Sequence, residues 1–119
     1  MSRRLAFLAV VVALFGGASA SAAPGVVPHA LVGTWKSTTA AFYSITIKSN
    51  GRVTFKRGTQ RMYETVSWTP TRATFGPAGA CSGKGTYRWK VVGSRLTFRV
   101  ITDRCIIRSG FLRDTWTRR

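Results

Sequence analysis

From Gly33 onward, apolar and polar residues alternate with a period of two, and no window carries sustained helical periodicity. Turn signals break the alternation at short intervals: Ser49-Asn50-Gly51, Gly58, Pro70, Gly76-Pro77-Ala78-Gly79, Gly93-Ser94 and Ser109-Gly110. The segments between them predict strands over 33–38, 42–48, 52–57, 62–68, 71–75, 85–92, 95–102 and 111–118. Eight short strands in succession, with no helix among them, predict an all-β fold, a small antiparallel up-and-down barrel.

Two hairpins have a register that the pattern can decide. A two-residue turn at Asn50-Gly51 would pair Ile47 with Thr54 and mix the two faces. A three-residue loop, Ser49-Asn50-Gly51 with Gly51 left-handed, pairs Ile47 with Val53 and Ile45 with Phe55. A one-residue slip would send every apolar group to the wrong face, so the longer loop is preferred. In the second hairpin, a two-residue turn at Gly93-Ser94 pairs Val91 with Leu96, Trp89 with Phe98 and Tyr87 with Val100. The opposite face then sets Arg88 against Arg99 and Lys90 against Thr97. Extending this ladder brings position 82 opposite 105. A bulge could absorb the one-residue difference from Cys81, so Cys81 and Cys105 are expected to clip the open end as a disulfide. A closed loop of that length stabilises by roughly 3 kcal/mol in the chain-entropy view.

Residues 1–22 read as a secretory signal peptide. Arg3 and Arg4 precede the apolar run Leu5–Phe15, and the small residues Ala18-Ser19-Ala20 and Ala20-Ser21-Ala22 offer cleavage sites, the second preferred. The run is too short to span a bilayer. The expected product is secreted, to the cell exterior or the periplasm, where a disulfide persists. It has a flexible N-terminal arm over 23–32 and one domain over 33–119, and is expected to be a monomer.

Composition changes the picture in one respect. Export of residues 23–119 leaves 17 basic residues against Glu64, Asp103 and Asp114, a net charge of +14. A field of that strength attracts polyanions. Arg88, Lys90, Arg95 and Arg99 share the outer face of one predicted hairpin, and Lys48, Arg52 and Lys56 that of the other.

Two motifs carry a family resemblance. Gly33-Thr34-Trp35 opens the first strand and Trp116-Thr117-Arg118 closes the last. This resembles the calycin superfamily of lipocalins, fatty-acid-binding proteins and avidin-like barrels. There a Gly-x-Trp begins the first strand, and a basic residue of the last strand packs over that Trp at the closed end. The resemblance implies a barrel-closing pair of Trp35 and Arg118, with Arg113 and Arg119 as rivals for the cation. Gly85 to Trp89 (Gly-x-Tyr-x-Trp) and Asp103 to Arg108 (Asp-x-Cys-x-x-Arg) are similar to segments of small secreted bacterial lipocalin-like proteins. The implied function is non-enzymatic binding of a small apolar or amphipathic ligand.

Parity places Tyr43, Phe55, Trp68, Phe75, Tyr87, Trp89 and Phe98 on the inner face. If Val66 and Trp68 point inward, so does Glu64, and a buried carboxylate needs a partner. Candidate ligand-binding residues are therefore Tyr43, Glu64, Trp68, Tyr87 and Trp89. Asp103 is expected to pair with Arg108 as a structural ion pair, and Asp114 with a cross-strand Arg. The only histidine, His29, lies in the expected arm, and neither a phosphate loop nor metal-ligand spacing is present, so no catalytic residue, metal or cofactor is expected. The alternative function is a basic surface module, its barrel core filled, that binds anionic polymers (wall polymer, acidic polysaccharide, nucleic acid or anionic lipid). No specific nucleic-acid readout is expected in either case.

Overall fold

A computed structural model describes residues 26–79 and 81–118; the expected signal peptide lies outside the described residues. The strands are β1 (Gly33–Ser37), β2 (Tyr43–Ile47), β3 (Arg52–Arg57), β4 (Gln60–Trp68), β5 (Arg72–Phe75), β6 (Gly85–Val92), β7 (Arg95–Asp103) and β8 (Thr115–Thr117). Each pairs antiparallel with its neighbour in sequence, and β8 returns to β1, so the sheet closes into an eight-stranded barrel.

Both hairpin registers are those the hydrophobic pattern selects. Ile47 faces Val53 and Ile45 faces Phe55, with Gly51 at φ 91° closing the loop. Val91 faces Leu96, Trp89 faces Phe98 and Tyr87 faces Val100. Above Tyr87 the ladder slips, and Thr86 faces Thr102. That slip carries position 83, not 81, toward Cys105. Cys81 bonds Cys105 from within loop 76–84 instead, where Ala78 and Cys81 exchange a short pair of backbone hydrogen bonds.

The expected strand over 111–118 is corrected. Ile106–Leu112 forms a helix, α1, and only Thr115–Thr117 remain as strand. Arg108, Phe111 and Leu112 lie on one side of α1 at helical spacing, with Arg108 and Leu112 buried, while Ile106 and Ile107 are exposed. An Arg at an inward position, two β-branched residues and Gly110 hide that period in the sequence.

Strand direction gives the barrel two unlike ends. The chain entry, loop 48–51, loop 69–71 and turn 93–94 share the end beside Trp35. Loops 38–42, 58–59 and 76–84 share the other end with α1, which lies across it. Between them the interior is filled by Trp35, Trp68, Phe75, Tyr87 and Trp116, each at most 2% exposed, with Ile45, Ile47, Val53 and Leu96. Phe75 alone has ring neighbours in Phe55, Trp68, Tyr87 and Phe98, with centroids 5.5–6.3 Å away. An eight-stranded barrel is just wide enough for such packing. Each large apolar side chain removed from water there contributes about 1.5–3 kcal/mol.

Candidate functional site

At the α1 end, one buried arginine organises the barrel mouth. Arg108 is drawn inward by α1 and uses all five of its N–H donors. Nε and Nη2 donate to the two Asp103 carboxylate oxygens (2.7 and 3.0 Å), Nη1 to Glu64 Oε1 and Gly76 O (both 2.9 Å), and Nη2 also to Gly83 O (2.8 Å). The Tyr87 hydroxyl donates to Asp103 Oδ2, and the Cys105 N–H to Oδ1. Gly85 is glycine because a Cβ there would overlap the Asp103 carboxylate and stand 2.9 Å from Arg108 Nη2.

Two carboxylates share this single guanidinium. Burial pushes the Glu64 carboxyl above its ordinary range, against the pull of Arg108. Burial also acts to raise Asp103, but Arg108, Tyr87 and the Cys105 N–H outweigh it and hold Asp103 below its ordinary range. Burial and the Asp103 hydrogen bond push the Tyr87 phenol up. Arg108 would be lowered by burial, yet its two carboxylates raise it further. Glu64 Oε2 has no partner among the described residues. The ion-paired side chains are fully shielded from solvent. Chemically the cluster is a brace that ties α1, β4, β7 and loop 76–84 together.

The five candidate ligand residues do not form one pocket. Glu64, Trp68 and Tyr87 lie inside the packed interior. Tyr43 sits at the mouth, stacked on Phe111 at 5.2 Å, and half-buried Trp89 lies toward the opposite end, its Nε1 donating to Thr69 O (3.0 Å). The inner positions are occupied by one another. The mouth does keep an open crevice of about 390 Å³ between the β3–β4 hairpin and α1. Phe55, Met62, Ile107 and Phe111 line it, and Arg57 and Arg61 stand at its edge. Sequence reasoning missed it because one wall is the unrecognised helix.

At the opposite end, the Arg118 guanidinium lies 4.1 Å over the Trp35 ring and donates to Val32 O (2.9 Å) and Ala30 O (2.7 Å). Trp35 Nε1 donates to Leu31 O (2.9 Å). Leu31 is fully buried in a one-turn 3₁₀ helix, His29–Leu31. The arm expected to be flexible through residue 32 is therefore docked on the barrel from Val27 onward. Of the rival cations, Arg113 stands beside α1 and Arg119 lies outside the described residues.

The outer face carries the third arrangement. Arg88 on β6 stands directly opposite Arg99 on β7 and directly opposite Arg72 on β5. Three arginines thus form one row across three strands about 4.8 Å apart. Lys90 and Arg95 lie on the same face, Lys90 opposite Thr97 and Arg95 opposite Val92. All five cations are exposed. Arg72 was not singled out from the sequence, because the β5–β6 register cannot be read across loop 76–84.

No acid answers these charges. Glu64 and Asp103 are consumed by Arg108. Burial alone would raise Asp114, but Ser37, Thr39, the Thr115 N–H and Thr38 bind it and hold it below its ordinary range, so hydroxyls take the place of the expected cross-strand Arg. Beside the row runs a groove of about 510 Å³, lined by Thr71, Arg88, Trp89, Lys90, Thr97 and Arg99 among others. Trp89 and Phe98 border it, but both side chains point to the inner face, where half-buried Trp89 packs against the core.

Among the described residues, no group of His, Cys, Asp or Glu could hold a metal ion, and no helix is long and apolar enough to cross a membrane. No family model, curated protein or solved structure matches the chain.

Proposed function

We propose that the protein is an exported, non-enzymatic binding module that holds an anionic polymer on the outer face of β5–β7, with the filled barrel as its scaffold. The observation that carries this reading is the row Arg72–Arg88–Arg99. Like charges directly opposed across strands disfavour the sheet, and every acid that could relieve them is committed elsewhere. A polyanion supplies what the fold withholds. Export rests on the reading of residues 1–22.

The test compares two variants of equal charge change. One reverses the row (Arg72→Glu, Arg88→Glu, Arg99→Glu); the other reverses the β2–β3 cations (Lys48→Glu, Arg52→Glu, Lys56→Glu). Elution from immobilised heparin should fall to much lower salt for the first than for the second. Equal elution refutes a site on β5–β7.

The mouth crevice favours a second reading. The lipocalin resemblance implies a small amphipathic ligand, and Trp35 under Arg118 is consistent with that resemblance. With the interior filled, such a ligand would rest on Phe55, Met62 and Phe111 with its anionic head near Arg57 and Arg61. Dodecanoate binding that is lost in Met62→Glu would support this reading, and absence of binding by the unmodified protein would remove it.

A further inference from the structure

We infer that the α1 end of the barrel docks on an anionic lipid bilayer, which the side chains of Ile106, Ile107 and Phe42 enter. The inference rests on neither the arginine row nor a ligand in the mouth crevice. Ile106 is 83% exposed, Phe42 60% and Ile107 59%. These are large apolar groups left in water by a barrel whose interior is already packed. α1 turns Arg108 and Leu112 into the mouth, and its outward stripe is Ile106, Gly110 and Arg113 at helical spacing. Gly110 meets open space, so no neighbour on that stripe shields Ile106. Phe42 reaches the same end from loop 38–42. Its carbonyl accepts from the Gly58 N–H (2.9 Å), and its ring meets Tyr43, which stacks on Phe111 of α1.

Charge selects the occupant. Arg57 and Arg61 flank the β3–β4 turn, Lys84 lies in loop 76–84, Arg104 joins β7 to α1, and Arg113 follows α1; all five are exposed at this end. Asp103 is shielded against Arg108, and the hydroxyls of Ser37, Thr38 and Thr39 hold Asp114. Exposed apolar groups rimmed by polar ones mark interaction sites. A second copy of the chain would set five cations against five. A soluble polyanion would use the cations and leave the isoleucines wet. An anionic bilayer answers both, because apolar tips enter the acyl boundary while arginines stay at the head groups on their apolar stems. It also needs no complementary shape, which suits single side chains projecting from a helix and a loop. Each cation near such a surface strengthens binding by about fivefold. Each isoleucine that leaves water adds about tenfold or more.

The experiment is co-flotation of the protein with vesicles of equimolar phosphatidylglycerol and phosphatidylcholine, against vesicles of phosphatidylcholine alone. Every preparation carries the same amino terminus, checked by intact mass, because the apolar run Leu5–Phe15 would bind lipid by itself. The expected result is capture by the anionic vesicles only. Ile106→Gln with Ile107→Gln should weaken that capture by about tenfold or more and leave elution from heparin unchanged. Both positions are exposed, so the double variant keeps the core intact. Ile106→Trp gives a second readout, in which bromine on the acyl chains quenches the added fluorescence. Undiminished capture of the double variant, or no quenching at position 106, overturns the inference and leaves only adsorption through charge, with the polyanion function intact. No capture of the unmodified protein also overturns it and leaves the α1 end to a protein partner. A dimer in sedimentation velocity that the double variant splits assigns this end to a second copy and overturns it too.

Discussion

Replacing Arg108 by Met removes one cation and leaves four acceptors stranded at the mouth: the Asp103 and Glu64 carboxylates and the carbonyls of Gly76 and Gly83. Met keeps an apolar stem of similar reach, so the change isolates the guanidinium. Breaking a buried ion pair by deleting one partner costs about 3–5 kcal/mol. Each carbonyl left dry would add about 1–3 kcal/mol, but the mouth can open to water, so the sum is not reached. The expected loss is therefore about 3–5 kcal/mol, a large share of the 5–15 kcal/mol typical of a domain. Urea unfolding followed by tryptophan fluorescence, with the disulfide intact, measures it. In a domain of this size the Tm should fall by at least about 12 °C. Adding Glu64→Gln removes one of the stranded charges and should recover about 1–2 kcal/mol. A loss under about 1 kcal/mol for Arg108→Met, or a double variant no more stable than the single, would refute the view that Arg108 braces the mouth.

Three further outcomes follow from the same geometry. The native state raises Glu64 and lowers Asp103 and Asp114, so stability should rise as pH falls from 7 toward the ordinary Glu value of 4.5 and drop below the ordinary Asp value of 3.8. A thermal-melt series that declines steadily from pH 7 to pH 3 would contradict that sign; in Glu64→Gln the rise should disappear. Gly85→Ala should cost about 1–3 kcal/mol by overpacking against Asp103 and Arg108, whereas Gly110→Ala, in open space on α1, should gain about 0.5–1 kcal/mol, both by urea midpoint. Arg88→Glu places an acid between Arg72 and Arg99 and should stabilise the sheet by about 0.2–1 kcal/mol while weakening polyanion binding; a loss of both would mean that Arg88 serves the fold alone.

What could be read from the chain was whatever strand parity controls. The pairs Ile45–Phe55 and Trp89–Phe98 follow because a slip would expose them. The inward aim of Glu64 follows from Val66 and Trp68 on the same face. Its partner does not, because Arg108 arrives from a helix whose inward stripe contains a charge, and helical periodicity is sought among apolar residues. The crevice was invisible for the same reason. Arg88 opposite Arg99 is set by a two-residue turn, but Arg72 joins the row across loop 76–84, whose path is fixed by the disulfide and by Arg108 binding Gly76 O and Gly83 O. Long-range tertiary bonds, not local pattern, place it there.

The braced mouth and the charged wall have one origin. The chain holds only three acids. Two are drawn inward to match Arg108, which lets a short helix lie across the barrel without leaving its own mouth carbonyls and carboxylates unbonded. The third fastens the β1–β2 loop through Ser37 and Thr39. Each of these placements strengthens the α1 end of a small barrel and removes a counter-charge from its outside. The packed interior leaves the inward aromatic residues no common pocket, and the same use of acids leaves Arg72, Arg88 and Arg99 facing solvent with no acid partner among the described residues. On the proposed reading binding falls to the outer wall, and Arg108 ties the last residue of β7, Asp103, to Gly83 in the loop that leads into β6.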